Sequence, residues 1–420
     1  MTVLSELMMR PADVRAERGW DAGQRTRLAL TISTMALLLV GANLATPLYP
    51  LLQERLTLGP FAVTLTFSSY VLALVVGLLL YGHWSDHIGR RAALVLSVVI
   101  GLLGGMVFAT AGGLGGLVAG RILQGAAVAM ATGATSAALR ELLPNRPEWA
   151  SRFTLLASTG GVAAGPVLGG LLSQLPHPTL MPFVAHSACL AVALIPLWVL
   201  RARPAIAALH GPGALGSLRP RRLVLASGAR TEFRNAAAVG FLSFALFGFC
   251  LSLAPRYFAE AAGIRSPLWA GVLAALVLIA SAAVQLLGRP DTRHLPAALA
   301  AMAAGTLLVA VAGTLSNLPL LGAATLFAGM SQGTALRAAF NALSVAVPPA
   351  DNARVVSAVY VVTYLGSAIP VLGLGSLAAA IGVPASVMWF FAVLAACCLL
   401  LSGLIRLQHH RNRHRTAGQG

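Results

Sequence analysis

The sequence predicts an all-α integral membrane protein whose twelve transmembrane helices form two six-helix repeats. The first observation behind this prediction is composition, since hydrophobic residues are 58% of the 420 residues and charged residues only 10%. A soluble domain carries about 25% charged residues. The other two observations are a series of apolar runs of membrane-spanning length and a set of motifs that recurs at a nearly constant offset. Together they exclude a soluble globular domain.

The apolar runs give the order of the elements. A helix that crosses a bilayer needs about 20 mostly apolar residues. The predicted spans are 28–52, 61–81, 92–112, 114–139, 153–175, 180–200, 236–255, 268–288, 295–315, 318–346, 355–381 and 383–405. The predicted domains are a tail 1–27, a six-helix bundle 28–200, a basic linker 201–235, a second bundle 236–405 and a basic tail 406–420.

Arginine distribution predicts the orientation. The chain has 29 basic residues, none of them lysine, and 24 of these arginines fall in the two tails and the loops after even-numbered spans. Cytoplasmic loops carry such an excess, so both termini are expected in the cytoplasm. The net charge of +17 therefore indicates orientation and no nucleic-acid partner. The Ala-, Gly- and Leu-rich, lysine-free composition is typical of a bacterial protein, and we expect it in the bacterial cell membrane.

Three short motifs recur in the second half. PLY at 47–49 returns as PRY at 255–257, QG at 124–125 returns at 332–333, and PVLG at 166–169 returns at 370–373. The offsets are 208, 208 and 204 residues. Two parallel repeats of this kind are typical of secondary transporters.

The stretch GHWSDHIGRR at 82–91 is the predicted cytoplasmic turn between spans 2 and 3. Its pattern combines Gly82, Asp86, Gly89, Arg90 and Arg91, and it resembles the loop signature of the major facilitator superfamily. The resemblance implies that this loop is a latch that breaks and remakes contacts during transport. The alternative is an ordinary charged turn that only sets topology. Two histidines in the loop have no third ligand nearby, so no metal site is predicted.

Span 4 contains Arg121, Gln124 and Gly125, which resemble the R-x2-Q-G signature of the same family. The resemblance implies a role in proton or substrate coupling. An arginine near the centre of a membrane helix costs about 2.5–3.5 kcal/mol on insertion scales, so it normally faces a cavity or a partner. Alternatively, Arg121 extends to the membrane surface.

Span 5 resembles the glycine–proline signature of exporters in this family. The matching residues are Gly161, Gly165, Pro166, Gly169 and Gly170. The match is partial because Arg152 stands where the longer pattern begins with glycine. It favours export, whereas the alternative is that these small residues only let two helices pack closely.

The substrate cavity is predicted to be apolar and aromatic, without fixed negative charge. The candidate residues are Asn43, Tyr70, Phe241, Phe244, Phe247, Gln332, Arg337, Tyr360 and Tyr364. Arg337 either binds an anionic substrate or extends toward the inner surface, and the aromatic rings alternatively contact lipid or neighbouring helices. Such a cavity suits a hydrophobic or amphipathic compound better than a sugar.

The residue that carries the coupled proton is sought among the titratable groups within the predicted spans. No predicted span contains Asp or Glu away from its ends. His186 in span 6 is the embedded group whose ordinary pKa of about 6.5 suits titration at physiological pH, although a structural hydrogen bond is its alternative role. A nucleotide-binding P-loop requires lysine, which the chain lacks. We therefore expect no cofactor and a proton gradient as the energy source.

The resemblance is to the twelve-helix drug:proton antiporter (multidrug efflux) branch of the family. It implies proton-coupled export of small hydrophobic or amphipathic compounds by alternating access. The alternatives are uptake of a nutrient by symport and, less consistent with the short tails, a membrane sensor without transport activity. An enzyme is not predicted, because no nucleophile–base pair or metal cluster is found. The expected partners are a small-molecule substrate and the lipid bilayer, and the expected state is a monomer.

Overall fold

The computed structural model describes residues 22–200, 229–287, 294–347 and 349–417, together with residues 3, 19, 20, 202 and 203. Most of the predicted tail 1–27 and of the linker 201–235 lies outside these residues. Within them, eleven helices are long and apolar enough to cross a membrane. A twelfth long helix, Leu318–Ala346, occupies the remaining predicted position. This helix is less apolar than the other eleven over its most apolar stretch, because it contains Gln332, Arg337 and Asn341.

The helices follow the predicted order, and short elements join some of them. In the first repeat they are α1 Gln24–Asn43, a 3-10 turn Thr46–Leu48, α2 Tyr49–Leu56, α3 Pro60–Tyr81, α4 Ser85–Ile88, α5 Arg90–Ala109, α6 Leu114–Leu142, α7 Pro147–Leu172 and α8 Met181–Val199. In the second they are α9 Arg230–Leu251, α10 Ala254–Ala262, α11 Pro267–Leu287, α12 Leu295–Thr314, α13 Leu318–Ala346, α14 Pro349–Ile381 and α15 Val383–Ala417. Two-residue strands β1 Gly19–Trp20 and β2 Ala202–Arg203 pair antiparallel.

The chain divides into two compact units. Unit 1 contains Met1–Leu58 and Ser69–Arg221, and unit 2 contains Gly59–Ser68 and Arg222–Gly420. The division follows the sequence repeat except that the first part of α3 belongs to unit 2. Within unit 2, the Ser68 hydroxyl donates to the Ala368 carbonyl on α14 over 3.3 Å.

The first predicted span is a broken helix and not one continuous segment. Helix α1 ends at Asn43, a 3-10 turn follows, and α2 begins at Tyr49. Pro47 has no N–H and therefore cannot donate to the carbonyl of Asn43, which interrupts the helical hydrogen bonding. The break leaves the last carbonyls of α1 available to side chains.

Small residues dominate the core of unit 2, where several helices approach one another closely. A cluster of buried alanine and other aliphatic side chains joins α9, α12, α13 and α14, and Ile405 of α15 completes it. The partly buried ring of Phe340 packs against this cluster. The unit therefore provides a close-packed frame for the side chains that α13 and α14 present at their accessible faces.

Candidate transport site

Arg121 is held inside unit 1 with only 1% of its surface exposed. Its guanidinium donates to the Ala42 carbonyl, to the Gln124 side-chain carbonyl over 3.0 Å and to the Tyr49 hydroxyl over 2.5 Å. The side chain therefore points into the helix packing and does not extend to the surface. Gln124 lies one turn away on the same helix, so the predicted R-x2-Q pair forms a direct contact.

Aromatic rings enclose the same guanidinium. Its central carbon lies 5.2 Å from the ring centroid of Phe108 and 5.7 Å from those of Tyr49 and Tyr70. A cation is attracted to the face of an aromatic ring, more strongly where water is excluded. Among the described side chains, no carboxylate forms an ion pair with Arg121. Hydrogen-bond acceptors and ring faces therefore stabilise this charge in place of a counter-ion.

The break in the first helix explains why Tyr49 and Ala42 meet Arg121. Ala42 is in the last turn of α1, where carbonyls have no helical partner and a cation is favourable. Tyr49 begins α2 immediately after the 3-10 turn. Gly125 packs against the backbone of Tyr70 and allows α6 to approach α3. Sequence reasoning placed Tyr70 in a substrate cavity, whereas it lies in the Arg121 cluster, and it missed Tyr49.

His186 binds the same broken helix from α8. Its Nε2 atom donates to the Leu37 carbonyl over 2.8 Å, because a carbonyl can only accept. The imidazole is 8% exposed. Its ring lies directly over Gly41, where any side chain would overlap the ring. Two separate helices thus donate hydrogen bonds from basic side chains to carbonyls of α1.

A small cavity lies between His186 and Gln124, the side chain that accepts a hydrogen bond from Arg121. It has a volume of about 10 Å³. Its lining residues are Leu38, Gly41, Ala42, Gly101, Gln124, Ala127, His186 and Leu190. A space of about 10–15 Å³ can hold one water molecule when polar groups are present to bind it. His186 and Gln124 supply those groups. With Arg121, which donates to Gln124, the structure thus brings three of the four predicted coupling residues to one location.

The second repeat lacks this polar cluster. At the offset of 208 residues, Arg121 corresponds to Gly329 and Gln124 to Gln332. Gln332 has no exposed surface, and neither atom of its amide has a hydrogen-bond partner among the described residues. Tyr257, the counterpart of Tyr49, donates to the Ala310 carbonyl over 2.9 Å. Among the described side chains, the fully buried arginines therefore belong to unit 1.

The histidine is also specific to the first repeat. Gly41 corresponds to Phe249 at the 208-residue offset, and His186 corresponds to Phe390 at the 204-residue offset. The two phenylalanine rings have centroids 6.2 Å apart. An apolar ring contact therefore takes the place of the imidazole–glycine contact.

The glycines of α7 pack against the first helix. Gly161 faces Ala36, Gly165 faces Asn43, and Gly169 faces the Leu44 carbonyl, so that an added Cβ would overlap each neighbour. Pro166 lies within α7 and is buried, as is Gly170. The exporter-like signature thus places small residues at a helix contact. Asn43 takes part in this contact, and its amide donates to the Leu39 carbonyl over 2.8 Å.

The loop between α3 and α5 is tied to the end of α6. Arg90 forms an ion pair with Asp86 at 2.5 Å and with Glu141 at 2.8 Å. It also donates to the Ser85 hydroxyl over 2.7 Å. Glu141 was not recognised in the sequence as a partner, because it lies 51 residues away from Arg90. The loop is therefore part of a three-residue charge network.

The remaining loop residues have packing roles. Gly89 adopts a φ of 89°, which favours glycine, and Arg91 is fully buried. Gly82 lies against Gly133 of α6, and a Cβ added to Gly133 would overlap the Gly82 carbonyl. No cluster of three or more metal-ligating side chains occurs among the described residues. The counterpart loop Gly288–Arg293 lies outside the part of the chain that the structure describes.

Five aromatic rings form a continuous row in unit 2, which we name the aromatic row. It runs in the order Phe247, Phe244, Tyr364, Tyr360 and Phe340, with successive centroids 5.3, 5.3, 6.2 and 5.0 Å apart. Four predicted cavity residues, Phe244 and Phe247 of span 7 and Tyr360 and Tyr364 of span 11, are thus in contact. Phe340 on α13 extends the row and was not identified from the sequence.

Two other predicted cavity residues lie near the row without joining it. The backbone of Phe241 packs against Gly366 of α14, and no ring contact of Phe241 is found among the described residues. Arg337 is half-buried and lies three residues before Phe340 on α13.

Comparison with known proteins agrees with this architecture. The family model of the Major Facilitator Superfamily matches residues 31–369. A tetracycline resistance protein, class E, from Escherichia coli is 37% identical over 111 residues, which are 25% of this chain and 26% of that protein. A bacillibactin exporter from Bacillus subtilis (strain 168) is 27% identical over 154 residues, which are 34% of this chain and 38% of that protein. The chain thus matches well under half the length of these relatives.

A solved structure shares the fold across most of the chain. It is that of a bacterial homolog of the human lysosomal transporter Spinster, with a TM-score of 0.72 and 15% identity, covering 90% of this chain and 97% of that one. At this identity the likeness shows the fold alone.

Proposed function

Because the chain belongs to the Major Facilitator Superfamily, and is thus a multi-pass membrane transporter and not an enzyme, we propose that it exports small hydrophobic or amphipathic compounds in exchange for protons by alternating access. The energy source in this proposal is the proton gradient, and no cofactor takes part. The protein acts as a monomer in the bacterial cell membrane, with both termini in the cytoplasm.

The observation that supports the proposal is that Arg121 and His186 both donate to carbonyls of α1, with a small cavity lined by His186 and Gln124 beside them. Arginine stays protonated at all physiological pH values, so it cannot carry the coupled proton itself. The imidazole can, because its ordinary pKa is close to neutrality. A proton on His186 adds a second positive charge to the part of unit 1 that holds the Arg121 guanidinium. The protonated imidazole still donates to the Leu37 carbonyl, so in this proposal it is the repulsion between the two positive charges that favours a shift of α1.

Two observations support the outward direction of transport. The glycine–proline stretch of α7 resembles that of exporters, although its glycines also serve helix packing. Relatives over part of the chain are named as a tetracycline resistance protein and as a bacillibactin exporter. Both names favour outward transport of an organic compound. Tetracycline and bacillibactin themselves are not assigned as substrates.

Transport into inverted membrane vesicles tests the proposal. An acidic vesicle interior should drive uptake of a lipophilic fluorescent dye, which corresponds to export from the cell. Arg121→Ala should abolish this uptake, and Arg121→Lys should restore it only partly, because lysine cannot form the forked contacts of a guanidinium. The control is Arg265→Ala, which removes an exposed arginine between α10 and α11.

Three outcomes would contradict the proposal in different ways. Wild-type uptake by the Arg121→Ala protein would assign Arg121 a structural role. Accumulation of the compound in whole cells, driven by the same gradient, would replace export with symport. An absence of flux for every compound, in protein that is inserted and folded, would favour a membrane sensor.

A further inference from the structure

The accessible face of α13 changes character along its length. In the first part of the helix, Leu326, Phe327 and Met330 are exposed, as expected for a surface in contact with lipid. Between residues 331 and 343, the residues that are not buried are Thr334, Arg337, Phe340, Asn341 and Ala342. Their spacing places them on one stripe of the helix. Lipid-facing apolar residues thus give way to a polar stripe, defined here as Thr334, Arg337 and Asn341.

Arg337 does not fit a lipid-facing position. It lies nine residues before the end of α13 at Ala346, which corresponds to about 14 Å along the helix axis. Charged side chains within membrane helices almost always face the bundle interior or a water-filled space. Asn341 and Thr334 on the same stripe share this preference. The stripe is therefore a water-accessible surface.

The charge of Arg337 has no counter-ion among the described side chains. Of the acidic residues of unit 2 whose side chains the structure describes, Glu260 pairs with Arg256 at 2.6 Å, and Glu232 lies in the first turn of α9. Asn341, one turn from Arg337, adds an amide donor. A half-exposed cation beside an amide is suited to bind an anionic group.

The aromatic row borders the polar stripe. Phe340 lies one turn from Arg337, so their side chains are neighbours on the helix surface. The ring of Phe340 contacts Tyr360, which is 37% exposed. An accessible ring surface and a guanidinium therefore lie next to each other. This combination recognises a molecule with one flat aromatic part and one negative group.

From this arrangement we infer that unit 2 binds an aromatic organic anion, with its carboxylate on Arg337 and Asn341 and its ring on Phe340 and Tyr360. The inference rests on the proposed transport function, because it names the chemical class of the substrate. An uncharged or cationic analogue of the same size lacks the contact with the guanidinium. The site therefore discriminates by charge as well as by shape.

Equilibrium binding to the purified full-length protein in phosphatidylcholine nanodiscs tests the inference. The probes are 2-naphthoate and its uncharged, size-matched analogue 2-naphthamide. The wild-type protein should bind the anion more tightly. Arg337→Gln should weaken naphthoate binding by about tenfold to a hundredfold, because a hydrogen bond to a charged group is lost, and should leave naphthamide binding nearly unchanged. Arg337→Lys should retain part of the preference for the anion.

Two further variants separate the ring contact from the charge contact. Tyr360→Ala should weaken binding of both probes to a similar extent, because it removes ring contact and no charge. Arg265→Gln removes an exposed arginine and should change neither affinity. The melting temperature of each variant, measured without probe, establishes that it is folded.

Several results would overturn the inference. These are no binding of naphthoate, equal affinity for the two probes, or an Arg337→Gln protein that binds naphthoate as the wild type does. If phosphatidylglycerol in the nanodiscs abolishes naphthoate binding by competing for Arg337, the group that the site binds is a lipid headgroup. Because binding is measured without a gradient, naphthoate binding without proton-driven flux would contradict only the proposed function. Flux of a lipophilic cation without naphthoate binding would contradict only this inference.

Discussion

The Tyr49 hydroxyl accepts a 2.5 Å hydrogen bond from the Arg121 guanidinium across the break in the first helix. Its counterpart in the second repeat, Tyr257, donates to a main-chain carbonyl and meets no cation. The two tyrosines occupy equivalent positions in the sequence repeat and have different partners. Substitutions of the two tyrosines can therefore be compared. A difference between them reports on the contact with Arg121, and a shared effect reports on the stability of the helix break.

Replacing Tyr49 with phenylalanine should impair transport more than it impairs folding. The ring remains beside the guanidinium, but one donor of a buried charge loses its acceptor, which costs about 1–3 kcal/mol. Tyr257→Phe removes a hydrogen bond between neutral groups, to a carbonyl within α12, and we expect a smaller loss of transport. Dye flux and thermal unfolding in detergent measure both effects. Equal loss of flux in the two variants would mean that Tyr49 serves only the helix break.

His186→Gln should abolish proton-driven flux and retain substrate exchange, because glutamine can donate to Leu37 but does not titrate. Gly41→Ala should have a similar effect, since the added methyl group would displace the imidazole. Gly105→Ala is the control, because its new methyl group meets only Ser187 at 3.6 Å. The measurement is flux as a function of external pH. An unchanged pH profile for His186→Gln would remove this residue from the coupling mechanism.

Asp86→Asn should slow transport without preventing insertion or folding. The Asp86 side chain is 44% exposed, and surface ion pairs contribute about 0–1 kcal/mol, so stability should change little. Arg90 keeps its contact with Glu141. Glu141→Gln combined with Asp86→Asn should therefore slow flux further than either change alone. Full transport by the double variant at normal expression would reduce this loop to a signal for topology.

Labelling of single cysteines tests the orientation. In a background without the four native cysteines, Asn145→Cys should react with an impermeant thiol reagent only after the cells are opened. Ser266→Cys should react in intact cells. Both native residues are exposed in loops between membrane helices. The reverse pattern of labelling would place the termini outside the cell.

The fold was largely predictable, because hydropathy and arginine placement act over whole segments. The predicted spans follow the observed helices closely from α3 to α15. The break after Asn43 was missed, although Pro47 and Pro50 are its signal, because the apolar run continues through both prolines. The observed end of α15 also differs from the end of the predicted span. The helix extends to Ala417, well beyond the apolar run, because charged residues also form helix and hydropathy detects only the apolar part.

The candidate site was predictable only in part. Arg121 stood out because a charge in a membrane helix is costly, and Gln124 because its spacing from Arg121 resembles the R-x2-Q-G signature. Their acceptor Tyr49 lies 72 residues from Arg121 in the sequence, and no local pattern predicts such a pair. The contact between His186 and Gly41 depends on how α8 crosses α1. Sequence periodicity shows which residues share a helix face, but it does not show which neighbour that face meets.

The acidic residues of the described membrane helices lie only at or near the helix ends, so the proposed proton carrier is an imidazole. When one proton enters and a neutral compound leaves, the exchange moves a net charge of +1 into the cell. When the exported compound is a monovalent anion, the net charge moved inward is +2. In a cell with a negative interior, each charge gains about 2.3 kcal/mol per 100 mV. One pH unit contributes about 1.4 kcal/mol per proton. In the proposed exchange, the membrane voltage should therefore contribute at least as much driving force as acidity, and export should continue when the medium is as alkaline as the cytoplasm.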